Sequence, residues 1–206
     1  MNNQYSPGTQ FSLFPPAVKN LLIITGIFFF ALNTPVIGPF LFKYGALWPV
    51  GSGRFEIWQP VSYLFLHAGF GHIFFNMFAL WMFGQAIENY WGTRRFTIYY
   101  FITGIGAALI QLLVVSGGRP TIGASGAVYG ILLAFGMMFP ERYIMLLIPP
   151  IPIKAKYFVA IFGLIALVSA LSGSNSNVAN FAHLGGMLFG YVLIRFWGLK
   201  GEEYHR

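Results

Sequence analysis

Ser125 opens an apolar stretch directly after a glycine-rich segment, and His183 lies inside another apolar stretch further along. A serine hydroxyl is a weak nucleophile until a base takes its proton, and histidine is the usual base. His72 and Asn76 stand at i, i+4, so a helix projects both from one face. With the Ser125 amide at a helix N-terminus, they are candidate donors to a developing oxyanion, each worth roughly 3 kcal/mol in acyl transfer. The orienting carboxylate of a triad cannot be Asp, because the chain has none. The five glutamates (Glu56, Glu88, Glu141, Glu202, Glu203) fall outside the outer halves of the stretches carrying these groups. A catalytic serine here must therefore work as a Ser–His dyad, with Tyr129, one turn below Ser125, offering a ring to stack on the imidazole. Other chemistries lack their essentials. No cysteine means no thiol nucleophile, disulfide or Cys-ligated metal, no HExxH is present for a zinc protease, and no Asp for an aspartyl dyad. Neither metal nor cofactor is expected.

These groups sit in a chain of 206 residues that is 57% hydrophobic and only 8% charged. A soluble domain carries roughly a quarter charged residues, so the composition specifies an integral membrane protein. Six apolar stretches approach the roughly 17–25 residues that a bilayer-spanning helix needs: about Ala17–Val36, His72–Tyr90, Phe96–Val115, Ser125–Phe139, Lys156–Leu171 and Val178–Trp197. The expected fold class is all-α, a polytopic bundle of six transmembrane helices forming a single domain over 1–206, with cytoplasmic tails at 1–16 and 199–206. The first stretch reads as a retained helix, because no small-x-small cleavage site follows it. Nine cations (Lys19, Arg94, Arg95, Arg142, Lys154, Lys156, Arg195, Lys200, Arg206) fall on the side of the termini and three (Lys43, Arg54, Arg119) on the other. The positive-inside rule then places both termini in the cytoplasm. The net charge of +7 has this origin; the cations are scattered, with no basic run for nucleic acid.

The fourth stretch is too short. Some 15 residues from Ser125 to Pro140 rise roughly 22 Å against a hydrocarbon core of about 30 Å. The preceding segment, Ser116 to Ala124, is glycine-rich loop, and irregular backbone at membrane depth survives only inside protein or beside water. Ser125 is thus expected at a helix N-terminus below the outer surface, facing a wet cavity. The plainer reading makes Ser125 an N-cap and leaves Gly126 and Gly130 to small-xxx-small packing. His183, Gly186 and Gly190 share one face of the sixth stretch, so the glycines would let it approach Gly126 and Gly130 and bring His183 to Ser125. Pro149, Pro150 and Pro152 stop any helix between stretches four and five. About 35 residues separate stretches one and two, a long loop whose Trp48, Trp58 and Phe65 suit a membrane interface.

Gly123-Ala124-Ser125-Gly126, followed by Tyr129 and Gly130, resembles the GxSGxxxG segment of the rhomboid intramembrane serine proteases. His67 to Asn76 resembles that family's HxxxxHxxxN segment, and Ala182-His183-Leu184-Gly185-Gly186, reaching Gly190, its AHxxGxxxG pattern. The three motifs come in family order across essentially the whole chain. The resemblance implies Ser125 as nucleophile and His183 as general base, with His72, Asn76 and the Ser125 amide as oxyanion hole. It implies ATP-independent, metal-free cleavage of transmembrane protein substrates near a helix end that unwinds easily, with flexing around the fifth span to admit substrate. Two positions depart from the pattern. Trp58-Gln59 stands where Trp-Arg is common, and Gln59 lacks the five-donor fork of arginine, which puts the anchoring of the first loop in question. Ile194 occupies a position where a third small residue is expected.

The remaining features have plainer readings. His67 is read as structural, with a lipid-phosphate or cavity role as its alternative. Glu88 is read as pairing with Arg94 or Arg95 in a solvated or interfacial ion pair. The run Phe28–Phe30 is lipid-facing or core bulk, and His205 sits in a polar tail. Two other functions compete with proteolysis. A non-proteolytic membrane-protein binder of the same fold would be expected to lack the serine or the histidine. A channel would need a polar path across both leaflets, and the inner halves of the stretches are nearly free of ionisable groups. A bacterial plasma (inner) membrane is the expected location and membrane lipids the expected surroundings; oligomeric state and substrate are not encoded in a readable way.

Overall fold

The computed structural model describes residues 11–114, 119–146, 150–172 and 180–201. Among them run the helices α1 (Pro16–Leu32), α2 (Ile37–Gly45), α3 (Gln59–Ser62), α4 (Phe70–Trp91), α5 (Thr93–Val114), α6 (Ser125–Met138), α7 (Ala155–Leu171) and α8 (Asn180–Phe196). The all-α expectation needs one correction. Tyr143–Met145 (β1) and Pro152–Lys154 (β2) pair antiparallel, with Ile144 opposite Ile153, and this hairpin, not plain loop, joins α6 to α7. Of the proline run, Pro149 lies outside the described residues, while Pro152 opens β2.

Helix α6 is the axis of the bundle and packs against α4, α5, α7 and α8. Small or apolar residues surround it on all sides, and ten of its 14 residues are buried, the behaviour of a helix that is hydrophobic all round. Its rise is roughly 21 Å. Helices α1 and α7 are peripheral: Ile23, Ile27 and Phe30 of one and Ile161, Leu164, Ile165 and Leu171 of the other are exposed. So much bare apolar surface is a liability in water and the proper exterior in lipid. By length and composition α4 and α5 can each cross a membrane, and α1 with α2 passes the same test as a pair bent by 119°. The first long stretch therefore stops at Leu32, and its continuation α2 turns aside into the long loop.

That loop is held by Gln59. Its side chain is fully buried; Oε1 accepts the Trp48 N–H at 3.1 Å, and Nε2 donates to the carbonyls of Arg54 at 2.9 Å and Tyr44 at 3.4 Å. Trp48 and Trp58 donate through Nε1 to the Lys43 and Tyr44 carbonyls, and Ser62 Oγ donates to that of Gly45. A glutamine thus gathers three backbone groups of the loop without an arginine.

Glu88 is not the solvated partner of an arginine. It is 2% exposed, and its carboxylate accepts the Ala17 and Val18 N–H groups, both at 2.8 Å, and the Thr93 hydroxyl at 2.7 Å. The reason is local. Pro16 at the first turn has no N–H, so Ala17 and Val18 carry the first free amides of α1, where the helix dipole favours an anion. The residues just before α1, assigned by sequence to a tail, are docked too: Asn89 exchanges hydrogen bonds with the Ser12 backbone, and Trp81 Nε1 donates to the Leu13 carbonyl.

Glu141 contrasts with Glu88. It pairs with Lys154 at 2.7 Å and with Lys156, joining the end of α6 to the start of α7. The hydrogen bonds from Lys154 and then Lys156 pull its carboxyl down from 4.5 to about 2. Its folded-state value is depressed, so its contribution is complete above about 4.5 and is lost as the pH falls toward 2. Removing Glu88 strands two buried amides, at about 1–3 kcal/mol each. Glu88→Ala is therefore expected to lower unfolding stability in detergent at neutral pH by about 3 kcal/mol. Glu141→Ala, an exposed pair, is expected to shift the unfolding midpoint little and to do so only above its titration window.

Candidate active site

Helix α6 begins at Ser125, and its N-cap is Ala124, with φ −76° and ψ −2°. The N-cap reading of Ser125 fails: its hydroxyl serves no helix amide but meets His183 of α8, with Nε2 to Oγ at 2.9 Å. His183 is nearly buried. Tyr129 lies face to face with it, ring centroids 4.2 Å apart and planes within 5°, so that ring fixes the imidazole plane with no carboxylate behind it.

Close approach of α6 and α8 makes this contact possible. A Cβ on Gly186 would overlap the Gly126 carbonyl oxygen, so backbone meets backbone there. The other expected pairing of glycines is different. Gly190 faces the Tyr99 hydroxyl of α5, and Gly130 faces Thr103 of α5; Tyr99 donates to the Gly130 carbonyl at 2.8 Å. Two glycines thus make room for α5 side chains and do not pack on each other. Ile194, the expected small position, is a fully buried core residue.

The loop into Ser125 is stitched to the first loop. Leu47 and Thr121 exchange both backbone hydrogen bonds at 2.9 Å, and the Gly123 N–H donates to the Tyr63 carbonyl at 2.9 Å. Gly123 has φ +119°, which side-chain-bearing residues rarely adopt, and a Cβ there would strike His72 Nε2. The His72 ring therefore lies directly against the Gly123 backbone. Its Nδ1 takes the Ala68 N–H at 3.4 Å, which leaves Nε2 as the protonated nitrogen facing the loop. Asn76, expected beside it, donates through Nδ2 to the His72 carbonyl at 2.8 Å; an amide NH₂ has two donors, so this bond leaves one uncommitted. Tyr63 carries no signal in the sequence. It is fully buried, and its hydroxyl donates to the Gly104 carbonyl at 2.7 Å. Among the described residues no cluster of three or more His, Asp or Glu side chains forms a metal site.

The profile of the Rhomboid domain family matches residues 54–199, which take in Ser125, His183, His72 and Asn76. The chain belongs to the rhomboid family. Among its rhomboid relatives, "RHOMBOID-like protein 1" of Arabidopsis thaliana is 34% identical over 78% of this chain and 41% of its own length. "Rhomboid protein 1, mitochondrial" of Saccharomyces cerevisiae is 31% identical over 97% of this chain and 58% of its own. "Putative rhomboid protease YdcA" of Bacillus subtilis is 27% identical over 86% of both. This rhomboid chain thus spans about half the length of the plant and yeast relatives and most of the bacterial one.

A methyl at Gly186 has only the Gly126 carbonyl to displace, and backbone cannot swing aside. Overpacking of this kind costs about 1–3 kcal/mol, so Gly186→Ala is expected to lower unfolding stability in detergent by about that amount. Gly26→Ala on α1, where a Cβ meets open space, is the matched control and is expected to leave the unfolding midpoint nearly unchanged.

Proposed function

We propose that this rhomboid chain is an intramembrane serine endopeptidase that hydrolyses peptide bonds in or near transmembrane helices of other membrane proteins. The observation that carries the reading is the 2.9 Å contact between Ser125 Oγ and His183 Nε2, seated on a stacked tyrosine and placed at a helix N-terminus.

In this reading His183 Nε2 takes the Ser125 proton as Oγ attacks the substrate carbonyl carbon. The charge that develops on the carbonyl oxygen falls to the Ser125 N–H, one of the first helix amides and so without an intrahelical acceptor, and to His72 Nε2–H, with the second Asn76 N–H in support. Donors fixed before the reaction usually lower the barrier of acyl transfer more than any other single effect. The C–N bond then breaks, and His183 passes its proton to the departing amine. Water attacks the acyl-serine, gives its proton to His183, and the carboxyl product leaves as Ser125 recovers its hydrogen. No metal or cofactor enters the scheme.

The proposed topology has six spans, α1, α4, α5, α6, α7 and α8, in a single membrane domain. Both ends lie in the cytoplasm, as supported by nine cations on that side against three. The short α6, preceded by loop, puts Ser125 below the outer surface within reach of water. The membrane proposed is a bacterial plasma membrane; the relatives include both bacterial and mitochondrial rhomboids.

Ser125→Ala is expected to abolish cleavage of a reporter transmembrane helix in liposomes, and His183→Ala to abolish labelling of Ser125 by a fluorophosphonate. Undiminished cleavage by Ser125→Ala would overturn the reading of Ser125 as nucleophile, and a wild-type chain that neither cleaves nor labels would leave a rhomboid that binds helices without cutting them.

A further inference from the structure

Three backbone amides on the way into α6 find partners in the first loop and the segment before α4. Thr121 gives its N–H to the Leu47 carbonyl and Gly123 to that of Tyr63, but Ala124 gives its N–H to a side chain, His67 Nε2, at 3.4 Å. The ψ of Ala124 is −2°, so its own nitrogen and the Ser125 nitrogen lie syn across the Cα–C bond. With φ at −76° as well, the two N–H groups keep one mutual direction, so a hold on the Ala124 N–H helps to orient that of Ser125. His67 is fully buried and meets the His72 ring edge to face, centroids 4.8 Å apart. One side chain thus touches both walls of the place where the oxyanion would form.

The tautomer of this ring suits the task. Accepting an amide through Nε2 demands that this nitrogen carry no proton, so the ring is neutral with its hydrogen on Nδ1. The Phe65 carbonyl lies beside the ring as an acceptor, and a carbonyl on one side with an amide on the other allows only one arrangement of the ring hydrogen. The buried imidazole thereby ties Phe65 to Ala124.

We propose that His67 is a positioning residue of the oxyanion pocket, directing the Ser125 N–H by holding the Ala124 amide and seating the His72 ring by edge contact. The proposal rests on the reading of Ser125 as nucleophile. It assigns His67 no contact with substrate, so its loss acts on the transition state and not on binding.

The test uses the full chain in liposomes with a reporter transmembrane substrate. His67→Phe keeps the ring and removes the acceptor; His67→Gln offers an oxygen acceptor to the Ala124 amide. His67→Phe is expected to lower kcat about 30-fold with KM within twofold, a fraction of the roughly 100- to 1,000-fold lost with a whole oxyanion donor. His67→Gln is expected to recover kcat to within threefold of wild type. Wild-type kcat in His67→Phe, equal loss in both variants, or a loss confined to KM overturns the proposal. Should His67→Phe fail to fold, ¹⁵N spectra of histidine-labelled wild type decide: an unprotonated Nε2 with Nδ1–H supports it, and a protonated Nε2 overturns it. Wild type that neither cleaves nor labels at Ser125 sinks the protease reading and this proposal together. Cleavage that depends on Ser125 but not on His67 sinks the proposal alone.

Discussion

Where α8 crosses α6, the carbonyl oxygen of Gly126 fills the space a side chain of residue 186 would need. In lipid no hydrophobic force presses two helices together, and association draws on van der Waals contact and interhelical hydrogen bonds, which small residues make available. That crossing sets the height and distance of everything above it. One turn up on α8, His183 comes level with the first residue of α6, and the serine and imidazole meet. Helix α5 completes the arrangement from the other side, with the Tyr99 hydroxyl on the Gly130 carbonyl and Thr103 against the same glycine. Three helices packed through glycine and tyrosine thus do the orienting for which a soluble hydrolase uses a carboxylate.

Helix α7 stands apart from this core, with only Ala155, Val159 and Ala166 buried. Its aromatic side chains nevertheless reach inward. Phe158 lies against Phe83 of α4 and against Phe162, and Phe162 lies 6.5 Å from Tyr129, the ring that carries His183. Helix α7 and the His183 imidazole are therefore joined by a column of four rings, Phe158, Phe162, Tyr129 and His183 itself. Tyr129 belongs to α6, so the column ends on the same helix that carries Ser125.

The parts of this architecture that are readable in the sequence are those governed by short spacings. His72 and Asn76 share a helical face because they are four residues apart, His183 and Gly186 because they are three apart, and the brevity of α6 follows from its length. Partners brought from afar, or made of backbone, are not readable. Glu88 looks like half of a surface ion pair because two arginines follow it; its actual partners are amides 70 and 71 residues earlier, and an amide leaves no trace in a list of side chains. Gly190 looks like a helix-packing glycine facing α6, but the group that needs its space is a tyrosine hydroxyl on α5. His67 faces an amide 57 residues away, and nothing in its sequence neighbourhood announces it. Gln59 looks too weak an anchor when only donors are counted, a judgement that overlooks its acceptor oxygen on Trp48.

The grip of Glu88 on α1 also bears on the order of assembly. The ribosome delivers Ala17 and Val18 long before Glu88, so α1 is made with its leading amides still lacking their carboxylate partner. Only when α4 has been made can the carboxylate reach them. The first helix is thus inserted early and fastened late, and until that moment it is free to wander from the rest of the nascent bundle.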